Sequence, residues 1–204
     1  MLKTLVKVSN ITSLSDARYC AGMGVELLGF SIDEASENYV SPEKLREIRS
    51  WVVGVQIVAE TSTTTPEILL EVLQKYEPDA VQINHAPWLP WLKSELNKPL
   101  ILSIEANQGA DSIADAMQQN AQYADYFLLE SATQTQLNGD WPDFLATLTK
   151  NHPILLGFGI KTDSINHLLQ TTQLVGIALK GSTEIRPGYS EFGELMDVLE
   201  ALED

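Results

Sequence analysis

Short apolar runs recur along this sequence, and many of them are followed at once by residues able to move protons or hold anions. Ser9 and Asn10 follow the first run, Asp33 and Asn38 the second, and Glu60 the third. Asn84 and His85 come after the fourth, Glu105 after the fifth and Glu130 after the sixth. Carboxylates of this kind serve as general acids or bases once a fold gathers them. The last two runs carry another chemistry. Gly157, Phe158, Gly159 and Lys161 follow one, and Lys180, Gly181 and Ser182 follow the other. Glycines admit a ligand close to backbone N–H groups, lysines bring charge and a serine brings a hydroxyl, which together suit a phosphate. The alternative is ordinary turn glycines beside solvated lysines.

The elements that must position these residues alternate in type. Eight strands are expected over Leu5–Ser9, Leu27–Ile32, Val52–Ala59, Ala80–Ile83, Leu100–Ile104, Tyr126–Leu129, Ile154–Gly157 and Val175–Leu179. Most are apolar on both faces, as parallel strands covered by helices are. Helix starts lie between them: Ser41-Pro42-Glu43 and Thr65-Pro66-Glu67 each set a capping residue before a proline, and Ser13 through Asp16 forms a shortened capping box. Thr162-Asp163 offers a further cap, and a last helix is expected from Ser190 to about Leu202, with Phe192, Leu195, Met196, Leu199 and Leu202 on its apolar stripe. Eight βα units of similar length, with no glycine-rich dinucleotide turn after the first strand, predict a single (β/α)8 TIM barrel over 1–204 rather than an open sheet. In that fold chemistry sits at the C-terminal ends of the strands, where the residues above fall, and the loops after strands seven and eight hold phosphate. The longest expected loop is Ser131 to Asp140.

Composition narrows the function classes. The chain has 204 residues, 44% hydrophobic and 20% charged, with a formal net charge of −15. Such a field disfavours nucleic acid and anionic membrane surfaces as partners. Cys20 is the only cysteine, so neither an intrachain disulfide nor a multi-cysteine metal site can form. No run approaches the length of a membrane span, and the N-terminal residues show no signal-peptide pattern, so the expected location is cytoplasmic. His152 and His167 read as structural, whereas His85, at the rim, can titrate near neutrality. Nothing in the pattern calls for a metal or organic cofactor.

Read in order, the motifs resemble those of the phosphoribosylanthranilate isomerases of tryptophan biosynthesis. Lys7-Val8-Ser9-Asn10-Ile11-Thr12 stands where that family has Lys-Ile-Cys-Gly-Ile-Thr. Asp16-Ala17 through Gly24 and Leu28-Gly29-Phe30 follow its first helix and second strand. Tyr39 to Lys44 is similar to Arg-Tyr-Ile-Ser-Pro-Glu-Lys, Val81-Gln82-Ile83-Asn84 to Val-Gln-Leu-His, and Asp140-Trp141 to the Asp-Trp that opens the sixth helix. Glu184 and Pro187-Gly188 match the closing segment. The resemblance implies an Amadori rearrangement of an aminoaldose phosphate. It implies a general acid at the end of the sixth strand, here Glu130, and a base at the end of the first, here Ser9. It further implies substrate contacts from Lys7, Asn38, Gln82 and Asn84, and phosphate contacts from Gly157, Gly159, Lys180, Gly181 and Ser182.

The departures from the family pattern fall on role positions. Ser9 replaces a cysteine, and an unassisted hydroxyl needs a base of its own. Lys7 has the same strand parity as Ser9 and could assist it, or be a structural charge buried with a glutamate. Glu130 replaces an aspartate and reaches further, and Asn38 replaces an arginine and cannot make a bidentate charged contact. Gln134 to Asn138 replaces a glycine-rich loop, and Phe158 replaces a glycine. Three readings stay open: an isomerase of this family with slowed chemistry, a divergent phosphosugar enzyme with another acid–base pair from Glu60, Glu105, Glu130 and His85, and a non-catalytic paralogue that binds a phosphorylated ligand or a partner protein.

Overall fold

A computed structural model of the chain describes residues 1–63, 65–133, 135–181, 183–186, 189–191 and 193–203, with the backbone alone at 66, 67, 183–186, 189–191 and 194. Eight parallel strands close on themselves in sequence order: β1 (Leu5–Ser9), β2 (Leu27–Ser31), β3 (Gln56–Thr61), β4 (Ala80–Ile83), β5 (Leu100–Glu105), β6 (Tyr126–Glu130), β7 (Ile154–Leu156) and β8 (Gly176–Lys180). Closure is made by β1 and β8, which pair in parallel from Leu5↔Gly176 to Ser9↔Lys180. Helices alternate with the strands: α1 (Leu14–Gly22), α2 (Pro42–Arg49), α3 (Pro66–Tyr76), α4 (Leu89–Glu95), α5 (Ala110–Asn120), α6 (Trp141–Leu148), α7 (Ile165–Thr171) and α8 (Gly193–Ala201). This is the (β/α)8 barrel that the sequence predicts.

The local chemistry explains several boundaries. Ser13 Oγ accepts from the Asp16 N–H at 3.1 Å and Ser41 Oγ from the Lys44 N–H at 3.3 Å, so α1 and α2 start at capped ends. Other boundaries differ from expectation. The third strand starts at Gln56 rather than Val52, because Gly54 takes a positive φ of 81° and the ladder to β2 begins only at Leu27↔Gln56. It then runs on to Thr61, which puts Glu60 inside the strand. Glu105, Glu130 and Lys180 likewise end strands instead of following them. The seventh helix starts after Ser164, whose side chain makes no capping bond, and not after Thr162-Asp163. A hairpin of β9 (Thr183–Arg186) and β10 (Tyr189–Glu191) occupies the segment before α8 and delays that helix to Gly193. On α8, Leu195 and Leu199 are buried as expected, as is Leu202 just after the helix, whereas Met196 is exposed. Phe192 and Ser182 lie outside the described residues.

Strand periodicity then builds the site. Leu27, Val58, Ala80, Ile101, Leu128, Leu155 and Ala178 form one apolar cluster, which is the packed interior of the barrel. A second and larger cluster joins the opposite strand faces to the helices. Side chains alternate along a strand, so residues two positions beyond the interior layer also point inward, nearer the C-terminal rim. Those residues are Gly29, Glu60, Gln82, Ser103, Glu130, Gly157 and Lys180, joined by Lys7 and Ser9 from β1. An apolar floor thus carries a polar upper layer. Cys20 is fully buried on α1, and desolvation, then the nearby Asp16 carboxylate, push its thiol up to about 12, which suits packing rather than reaction. Among the described residues no helix is long and apolar enough to cross a membrane.

Candidate active site

Under the rim, Lys7 is fully buried, and its ammonium pairs with Glu60 Oε1 and donates to Ser9 Oγ at 2.5 Å. Gly29 makes this possible. A Cβ there would stand 2.1 Å from Glu60 Oε1 and 3.0 Å from Lys7 Nζ, so only a glycine leaves room for the pair. The second carboxylate oxygen, Glu60 Oε2, accepts the Asn10 N–H at 3.2 Å. Asn10 reaches that position through a left-handed backbone, φ 58°, which asparagine tolerates better than most residues. The chain leaving β1 is fixed further by Gly181, whose N–H donates to the Ser9 carbonyl at 2.7 Å, and by Ile11, whose N–H donates to the Gly29 carbonyl.

Across the barrel mouth, Glu130 Oε1 accepts from the Ser103 hydroxyl. Glu105, its direct register partner, is held through both carboxylate oxygens by the Ala132 N–H at 3.1 Å. Asp33 ties the loop after β2 to the end of β3, accepting from the Thr61 hydroxyl and from the Ser62 N–H and hydroxyl.

These side chains open onto one cleft in two adjoining parts. The first, about 410 Å³, is lined by Ser9, Asn10, Asp33, Glu60, Gln82, Asn84, Ser103 and Glu130, among others. The second, about 360 Å³, shares Asn84, Ser103 and Glu130 with the first and adds Glu105, Gly157 and Lys180. The volume suits a small-molecule ligand. Gln82 Oε1 is buried on the cleft wall with no hydrogen-bond partner among the described residues, so an acceptor waits there for a donor.

Of the residues singled out in the sequence, Ser9, Gln82, Asn84, Glu130, Gly157 and Lys180 therefore meet in the cleft. Lys7 lies beneath it. Asn38 is half-buried on the loop after β2, its N–H on Ser36 Oγ at 3.1 Å, and does not line the cleft. The N–H groups of Gly157 and Gly181 are already bonded to the Leu129 and Ser9 carbonyls. Gly159, φ 65°, sits under Leu137. The N–H groups of Gly159, Ile160 and Lys161 meet no acceptor among the described residues. Phe158 packs edge-on against Trp141 with ring centroids 5.0 Å apart, which joins the start of α6 to the β7–α7 loop. His85 packs against Trp88 in a T-shaped ring pair with centroids 5.2 Å apart, and is not among the residues that line the cleft. Ser103 was legible only by strand parity with Glu105. Among the described residues no group of three His, Cys, Asp or Glu side chains could hold a metal ion.

Residues 6–201 match the family described as N-(5'phosphoribosyl)anthranilate (PRA) isomerase. The chain belongs to that family. Among curated relatives, the N-(5'-phosphoribosyl)anthranilate isomerase of Maridesulfovibrio salexigens is 24% identical over 98% of this chain and 99% of its own. The one from Rubrobacter xylanophilus is 28% identical over 94% of each. The crystal structure of a phosphoribosyl anthranilate isomerase in complex with reduced 1-(o-carboxyphenylamino)-1-deoxyribulose 5-phosphate shares the barrel, with a TM-score of 0.77 at 20% identity over 98% of both chains. Within the PRA isomerase family this chain is thus a distant member, at 24–28% identity to these relatives.

Proposed function

We propose that the chain isomerises a phosphoribosylated amine, N-(5'-phosphoribosyl)anthranilate in the first instance, by an Amadori rearrangement in tryptophan biosynthesis. The observation that carries this reading is the continuous cleft, which is lined by Glu130 on β6, by Ser9 and Glu60 on β1 and β3, and by Lys180, the register partner of Ser9 on β8. In this reading the substrate's phosphate lies against Lys180 and the N–H groups of Gly159, Ile160 and Lys161. Glu130 delivers a proton through Oε2 to the ring oxygen, its other oxygen being occupied by Ser103. Gln82 and Asn84 receive the sugar hydroxyls, and the base stands on the Ser9–Glu60 wall. The reaction needs no cofactor, and in this reading it takes place in the cytoplasm. The test is complementation: the gene should restore growth without tryptophan to a strain lacking this isomerase, and its Glu130→Gln variant should not. Growth with neither would remove the reading.

One observation favours a second reading, the same chemistry on another amine. Away from Lys180 the described lining carries Asp33, Glu60 and Glu130 and no lysine or arginine, so a carboxylated aromatic ring meets no cationic side chain there. Turnover of a phosphoribosylated neutral amine with no turnover of the anthranilate compound would select it.

A further inference from the structure

We propose that Glu60, rather than Ser9, is the base that takes the proton from C2' of the sugar, with Lys7 as the positioning residue that holds it. The inference rests on the isomerase reading for its substrate but on the Lys7–Glu60–Ser9 geometry for its assignment. Lys7 is wholly buried and ion-paired with Glu60. An ammonium group has three donors and no acceptor, so it cannot take the proton of Ser9. The Ser9 oxygen instead receives a hydrogen bond from Lys7 at 2.5 Å, which leaves its own O–H available only as a donor. A hydroxyl acts as a base only with an acceptor beside it, and Lys7 supplies none.

Glu60 has what Ser9 lacks. It lines the same cleft, and only one of its oxygens is committed to the ion pair. The other receives a single long contact, 3.2 Å from the Asn10 N–H, and keeps a lone pair for a ligand. Lys7 below, Asn10 beside it and the space left by Gly29 fix the carboxylate in one place, which is the preorganisation a proton transfer needs. The step balances internally. Glu130 protonates the ring oxygen and the ring opens to an iminium at C1'. Glu60 removes the C2' proton, the C–H electron pair becomes the C1'=C2' bond, and the C=N pair returns to nitrogen. The enolamine then gains a proton at C1' and loses that of the C2' hydroxyl, so C2' is oxidised and C1' reduced with no outside reagent. Ser9 donates to a sugar oxygen.

Two measurements test this. The first does not depend on the natural substrate. Bromohydroxyacetone phosphate carries a phosphate and an electrophilic carbon that a nearby carboxylate esterifies, and peptide mapping locates the ester. The expected label is on Glu60, blocked by inorganic phosphate and lost in Glu60→Gln. A label on Ser9 or Glu130, or none, overturns the proposal. The second compares kcat on the phosphoribosylated anthranilate. Lys7→Met/Glu60→Gln keeps the buried volume with no unpaired charge, and should lower kcat by about 10²-fold or more with KM within about threefold. Ser9→Ala should lower it by less than about tenfold, the worth of one neutral hydrogen bond. Equal losses in the two variants overturn the assignment, and if the double variant does not fold, the label decides. Labelled Glu60 in a wild type that leaves the anthranilate compound untouched would sink the proposed substrate and leave this inference standing.

Discussion

Leu137 lies directly over Gly159, so closely that a Cβ on the glycine would stand 2.6 Å from Leu137 Cγ. The β6–α6 loop is thereby seated on the loop after β7, whose N–H groups are the proposed phosphate donors. Gly159→Ala adds this clash to the cost of a left-handed backbone, about 1–2 kcal/mol for an alanine. Urea denaturation should show at least that loss, and phosphate titration should show weaker binding. Adding Leu137→Ala should recover the steric part only.

The buried Lys7–Glu60 pair predicts a non-additive pattern of stability. Lys7→Met alone leaves a buried carboxylate without its cation and should cost about 3–5 kcal/mol, whereas Lys7→Met/Glu60→Leu should lie close to wild type. Gly29→Ala should behave like the single variant, since its Cβ would occupy the position of Glu60 Oε1. Denaturant midpoints of the four proteins decide it. A double variant as unstable as the single one would mean that the pair is not a self-compensating unit.

Asn38 is the position from which a cation could reach the first part of the cleft, because its neighbour Ser36 already lines it. Asn38→Arg should lower KM for the anthranilate compound by about tenfold through a bidentate carboxylate contact, and Asn38→Lys by less. Steady-state kinetics at fixed ionic strength would show the ordering, and unchanged KM in both would place the aromatic half elsewhere.

His152 is buried against Phe127, and its Nδ1 has no partner among the described residues. Desolvation holds its pKa below the ordinary histidine value, so folding favours the neutral ring. The unfolded chain therefore binds a proton first as the pH drops. Stability from this group is complete above about 6.5, the unfolded value, and is lost as pH falls through the lowered folded value. His152→Leu should flatten the pH dependence of stability across that interval, and denaturation curves at several pH values would measure it.

The barrel was legible because parallel strands covered on both faces read as short apolar runs, and β1 and β4 fell at their expected bounds. The third strand did not, since Val52 and Val53 look like strand residues until Gly54 turns the chain. The expected end at Ala59 left Glu60 outside the strand, and with it the inward parity that Glu60 shares with Val58. The Lys7–Glu60 contact joins residues 53 positions apart, through a space that Gly29 provides only once three strands are side by side. Such a contact is a product of β1, β2 and β3 lying side by side, with no local signal beyond the shared parity of Lys7 and Ser9. The hairpin at β9 and β10 had a signal, the Pro187-Gly188 dipeptide between two short polar–apolar runs, which the expectation of a longer last helix obscured.

The most direct test is conversion of N-(5'-phosphoribosyl)anthranilate to 1-(o-carboxyphenylamino)-1-deoxyribulose 5-phosphate by the purified protein, followed in parallel with Glu130→Gln and Lys180→Ala. Turnover by the wild type is expected. Glu130→Gln should lose about 10²-fold or more in kcat, and Lys180→Ala should mainly raise KM. A folded wild type that binds inorganic phosphate yet forms no product would contradict it.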